Sequence, residues 1–233
     1  MKRNIRVAKE LVALAKSLIA IDEEGDGGGF QYLHDYKTNE DDLVEVGAKQ
    51  GKKYILARQE PSGLWRIRSC RDFGNIRKGS YGGCVESDKN LSHDGKCWIF
   101  RGASVMEDAR VTDDAEVSGH SFIGGNAVIK GSAEISGDSV KIWDHAVVDS
   151  SFVTDKARIY GNAEVSTGSD IRGESRIYDN AKVIGSYVDG ADVYGDAEIS
   201  GRSSITSEGG NKTEIFGTAK IVGKKITKGS IGK

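Results

Sequence analysis

From Cys97 to Val222 the chain alternates small, polar, aliphatic and polar positions, and each run then commonly ends in Gly with Asn or Asp. Ala109 and Val111, Ala115 and Val117, Ser121 and Ile123, Ala127 and Ile129, and Ala133 and Ile135 recur with a period of six residues. Residues two apart in a strand share a face, so the small and aliphatic residues point inward while their neighbours point out. Gly, Asn and Asp turn the chain between strands because they accept positive φ at the lowest cost. Three six-residue sides close a coil every eighteen residues or so, and stacked coils place valine over valine. The pattern predicts a mainly β protein, a solenoid of about seven three-sided coils roughly 33 Å tall.

The rhythm slips locally. Ser139 to Ala146 is seven residues, Ala146 to Ser151 is five, and Ala181, Ser186 and Ala191 are five apart. Between Ser203 and Thr213 the step is ten, which predicts a loop at Ser207 to Lys212. Four regions follow: a helix and linker over 1–29, a β-rich capping region over 30–96, the solenoid over 97–223 and a lysine-rich tail over 224–233. The capping region lacks the six-residue rhythm, and its strands are expected near Lys53 to Arg58 and Leu64 to Ser69, joined through Pro61, Ser62 and Gly63. At the N-terminus, Ile5, Ala8, Leu11, Val12, Ala15, Leu18 and Ile19 are helically spaced among Lys2, Arg3, Arg6, Lys9 and Lys16. This predicts a basic amphipathic helix. The acidic, glycine-rich run from Asp22 to Gly29 tethers it, and Arg3, Arg6, Leu11 and Leu18 are its candidate partner-docking residues.

Folding the repeats onto three sides also aligns the outward residues. On one side the residue after the aliphatic position is Met106, Gly124, Trp143, Tyr160, Tyr178, Tyr194 and Phe216 in successive coils. An aromatic row this long has four readings. It reinforces the solenoid by ring stacking; it is covered by further copies in a trimer; it receives the N-terminal helix or another protein; or it is a platform for sugar rings on Tyr160, Tyr178 and Tyr194.

Composition narrows the function. With 33 basic and 35 acidic residues the net charge is -2, which provides no global field to recruit nucleic acid. Thirty-one glycines against one proline fit many tight turns of one design. No stretch could span a bilayer, and Lys9, Glu10 and Lys16 interrupt any export signal, so a cytoplasmic setting is expected. Cys70, Cys84 and Cys97 are widely spaced and odd in number, which suits a reducing compartment rather than a disulfide framework. His93 and Cys97 are four apart with Cys84 nearby, but zinc ligands come in close pairs, and no metal or cofactor is expected.

The small-x-aliphatic hexads resemble those of the left-handed hexapeptide-repeat β-helix proteins, and the resemblance covers more than half the chain. It implies a triangular left-handed coil and, commonly, a homotrimer. The segment 66–100 resembles a leader that precedes such repeats in phage and bacterial proteins, including the YdcK-like hexapeptide type, and implies a seal on the first coil. The basic N-terminus followed by Ile21-Asp22-Glu23 resembles the addressing segments of tailed-phage proteins, which a prohead protease cuts after a small-or-aliphatic, any, Glu triplet, making Ile21 and Glu23 the candidate processing site. Many relatives in the resembled family are acyltransferases with a histidine base, for which the coils offer only His120 and His145. The protruding acceptor loop and long C-terminal helix that often accompany that activity are missing from the sequence. The expected function is a non-enzymatic structural or interaction rod of a phage virion or its assembly, acting in the host cytoplasm or virion. A hexapeptide-type acyltransferase is the alternative and a glycan-binding rod the third reading.

Overall fold

A computed structural model of the protein describes residues 39–210 and 212–232. The predicted N-terminal helix, with Arg3, Arg6, Leu11 and Leu18, and the triplet bearing Ile21 and Glu23 lie outside the described residues.

The hexads wind into a parallel β-solenoid of about eight coils. Each coil gives one short strand to each of three sheets, of 11, 8 and 7 strands. We name the sheets by what they turn outward: the aromatic, acidic and ion-pair faces. Between coils the pairing in each sheet is parallel and in register, so Val105, Ile123, Ile142, Ile159, Ile177, Val193 and Ile215 stack inside the aromatic face, all fully buried. The alanines of the small positions, from Ala109 to Ala197, are buried beside such stacks, and Val140 and Thr213 are equally buried at the same position in other coils.

The corners have their own chemistry. Asp113, Asp144, Asp155 and Asp179 take φ near 58–61°, and each carboxylate accepts the backbone N–H of a glycine one coil on. These distances run from 2.9 Å at Gly131 and Gly173 to 3.1 Å at Gly195. The turn residues therefore also staple successive coils. A second staple runs inside the acidic face, where Ser151, Ser169, Ser186 and Ser203 stand in the small positions. The hydroxyl oxygen of each accepts the backbone N–H of the residue above, Ser169, Ser186, Ser203 and Lys224 in turn, at 3.2–3.4 Å. The serines thus give the buried N–H groups of Ser169, Ser186 and Ser203 an acceptor in the neighbouring coil.

Register differs from expectation at one coil. Val140, not Ser139, fills the inward position, so the seven-residue step runs from Ala133 to Val140 and the additional residue sits in the Gly137–Ser139 turn. An apolar side chain outcompetes serine for the core. Trp143 then follows Ile142 directly, as the aromatics do in the other coils.

The coil count exceeds the expected seven because both ends continue the pattern. Strands β1 (Tyr54–Gln59) and β2 (Trp65–Ser69) form the expected antiparallel hairpin, and β3 (Tyr81–Val85) pairs antiparallel with β2 and parallel with Ser104–Val105. Thus β3 is the first strand of the solenoid as well as the last of the cap. Gly82 and Gly83 permit this: a Cβ at either would lie within 2.7 Å of the Ile99, Phe100 or Ala103 carbonyls, or of the Trp98 ring. At the other end the lysine-rich tail adds Lys225–Ile226 and Ser230–Gly232 as further parallel strands. Helix α1 (Glu40–Lys49) was not anticipated. Its signals are local: Asn39 caps the Asp41 N–H, and Glu40, Asp41 and Asp42 favour the positive end of the helix dipole. It is anchored by the Arg68–Asp41 and Lys78–Glu45 ion pairs, both at 2.6 Å.

Where the cap meets the first coil, Lys53 is fully buried. Its ammonium donates to the Asp94 and Cys97 carbonyls at 3.0 Å and to the Cys97 Sγ at 3.1 Å. Burial pushes its pKa down. The side chain closes the seam between hairpin and solenoid with three acceptors and no carboxylate.

Candidate functional site: the aromatic face

The parallel register turns the aromatic row into a stack. Ring centroids are 4.4 Å apart for Trp143–Tyr160, 4.9 Å for Tyr160–Tyr178, 4.9 Å for Tyr178–Tyr194 and 5.4 Å for Tyr194–Phe216. The planes tilt by only 3–13°. Coils are spaced by the strand separation, roughly 4.8 Å, close to the distance at which aromatic faces meet, so equivalent positions in successive coils stack without backbone adjustment. All five rings are half-buried. The stack ends at Gly232, where a Cβ would collide with the Phe216 ring. At the other end it stops at Gly124, whose open position is crowded by the Phe122 ring, 3.0 Å from where a Cβ would sit. Met106 shares the column but lies beyond this break.

This geometry decides what the face presents. Inside the stack each ring face is occupied by the next ring, so edges and tyrosine hydroxyls point outward. A sugar ring stacks on a free aromatic face, and Tyr160, Tyr178 and Tyr194 each have both faces taken by neighbouring rings.

Beside the rings runs the column Lys141, Arg158, Arg176, Asp192 and Glu214. Asp192 is 1% exposed. Arg176 meets it through Nε at 3.0 Å and through Nη2, and Lys212 reaches it at 2.6 Å from the predicted loop. Asp192 is not marked out by the hexad pattern; its one signal is an acid that follows three cations, Lys141, Arg158 and Arg176, in one column. Burial, then the neighbouring Tyr160 hydroxyl, then Asp192 push the Tyr178 pKa up to about 12, against a smaller opposing pull from Arg176. Burial also raises that of Tyr160.

The two histidines are not brought together. His120 is exposed at the corner between the acidic and aromatic faces. His145 is exposed at the corner between the aromatic and ion-pair faces. Its Nε2 lies 3.4 Å from the Asn126 side-chain nitrogen, and it occupies the corner column in which Asn162 donates to Asn180 at 3.0 Å and Asn180 to Asp196 at 2.9 Å. It is a rung of a polar ladder. His93, in the cap, has both ring nitrogens engaged: Nδ1 accepts from the Lys53 N–H at 3.3 Å and Nε2 faces Asp88 at 3.2 Å. Cys97 is turned inward against Lys53, while Cys84 is on the outer side of β3. Among the described residues no three His, Cys, Asp or Glu side chains are grouped to hold a metal, and no helix is long and apolar enough to cross a membrane.

Compared with known proteins, the chain matches no family model and no curated relative by sequence.

Proposed function

We propose that this protein is a non-enzymatic structural or interaction rod, a left-handed β-helix of the hexapeptide-repeat type that assembles as a trimer through its aromatic face. Its setting in this reading is a tailed-phage virion or its assembly, with the N-terminal amphipathic segment docking a partner protein. The observation that carries the reading is the five-ring ladder from Trp143 to Phe216, a contiguous half-buried strip on a rigid scaffold. Strips of this kind on soluble proteins tend to be covered by another surface. The phage setting draws on the leader-like segment 66–100 and on the basic N-terminus with its Ile21-Asp22-Glu23 triplet. The acyltransferase alternative draws no support from His120 and His145, which stand at different corners and meet no acid–base partner among the described residues.

Light scattering of the full-length chain tests the assembly. The expected result is a trimeric mass that falls to that of one chain in Tyr178→Asp, with Tyr178→Phe retaining the trimer. A monomeric wild-type protein refutes the reading.

A further inference from the structure

The three faces treat their in-register charges differently. On the ion-pair face Glu164, Lys182, Glu198 and Lys220 alternate in sign, strand upon strand. Glu164–Lys182 closes at 3.3 Å and Glu198–Lys220 at 3.5 Å. The same outward position on the aromatic face sets Lys141 against Arg158 and Arg158 against Arg176. On the acidic face it sets Glu116 against Glu134, followed by Phe152. Like charges directly opposed across paired strands are destabilising. Arg176 finds Asp192, but Lys141, Arg158, Glu116 and Glu134 form no ion pair among the described residues. Phe152, 43% exposed, is among the few large apolar side chains left open. The solenoid lattice can place opposite charges one coil apart, as the ion-pair face demonstrates, and on two faces it places like charges instead.

We propose that these two faces complete each other between copies: the aromatic face of one copy lies against the acidic face of a second, parallel copy at the same height. The inference rests on the reading that further copies cover the aromatic face, and it specifies what meets that face. Copies related by an axis parallel to the rod share the level of every coil. Glu134 and Lys141 lie on consecutive sides of one coil, so Glu134 of one copy meets Lys141 of the next. One coil on, Phe152 arrives opposite Arg158 and Tyr160, a guanidinium and a ring edge suited to an aromatic side chain. Such a contact joins two different surfaces and therefore closes into a ring rather than a two-fold pair.

The test is sedimentation of the full-length chain at low and high salt. Glu134→Lys is expected to weaken association at least about tenfold, because it opposes like charges across the contact. Lys141→Glu is expected to do the same, and the double variant carrying both changes to restore assembly. Thermal melts of each variant establish folding, since all these side chains are exposed. An assembled wild type that loses its mass in Tyr178→Asp but is insensitive to Glu134→Lys overturns this pairing and leaves the trimer reading standing. An assembly weakened by each single reversal and not rescued by the double also overturns it. A monomeric wild type overturns both.

Discussion

The ion-pair face and the aromatic face are built on one lattice, yet they bind their coils together by different physics. On the first, Glu164–Lys182 and Glu198–Lys220 join strands through exposed charges that water and salt screen. On the second, rings held 4.4–5.4 Å apart exclude water from each other's faces. The charges from Glu164 to Lys220 on the first face alternate and balance within the chain. The second stabilises the rod and still presents ring edges, hydroxyls and two cations, Lys141 and Arg158, that form no ion pair among the described residues. Regular stacking thus lets one lattice balance its charges on one face and leave like charges in register on another, according to which residue types recur at one position.

The largest effect is expected at the centre of the ladder. Tyr178→Ala removes a ring that stacks on two neighbours, and an aromatic pair contributes about 0.5–1.5 kcal/mol beyond its burial. The expected loss is about 1–3 kcal/mol in chemical denaturation. If Tyr178→Ala costs no more than a surface substitution, the ladder does not hold the coils together.

Alkaline pH gives a smaller, graded effect. Below about pH 10 tyrosine is neutral both folded and unfolded, so the contribution of Tyr178 is intact. Between there and about 12 the unfolded chain loses the proton that folded Tyr178 retains, and stability falls as pH rises. Melting temperature should decline across that window, and less steeply in Tyr178→Phe. Equal slopes would remove Tyr178 as the cause.

The smallest effect is expected on the ion-pair face. Lys182→Ala should cost about 0.2–1 kcal/mol, and the cost should shrink in high salt. A loss as large as that of Tyr178→Ala would erase the distinction between the faces.

Much of the solenoid was legible before any coordinates because its core uses two residue types at a fixed spacing. Val, Ile and Ala at alternate positions need no distant partner to declare which way they point. The ladder was legible for the same reason, since identical steps carry Tyr160, Tyr178 and Tyr194 to one azimuth. Departures from local rule were harder. Val140 displaced Ser139 because burial of an apolar side chain outweighs a regular count. Helix α1 has only local signals, Asn39 and the acidic first turn, beside the stronger β pattern of the hairpin. Asp192 looked like one more polar surface residue, and only the approach of Arg176 and Lys212 from separate segments made it a buried anchor.

The chain alone determined the period, the inward set outside the Val140 coil and the sharing of one side by the aromatics, because each follows from strand geometry acting over a few residues. The tertiary structure decided the quantities that depend on residues far apart in the chain: that the rings meet face to face, that β3 belongs to cap and solenoid at once, that His145 is a rung among asparagines, and which columns are electrically balanced. Those outcomes depend on the exact rise from coil to coil and on side-chain rotamers, neither of which a pattern of hydrophobic and polar letters encodes.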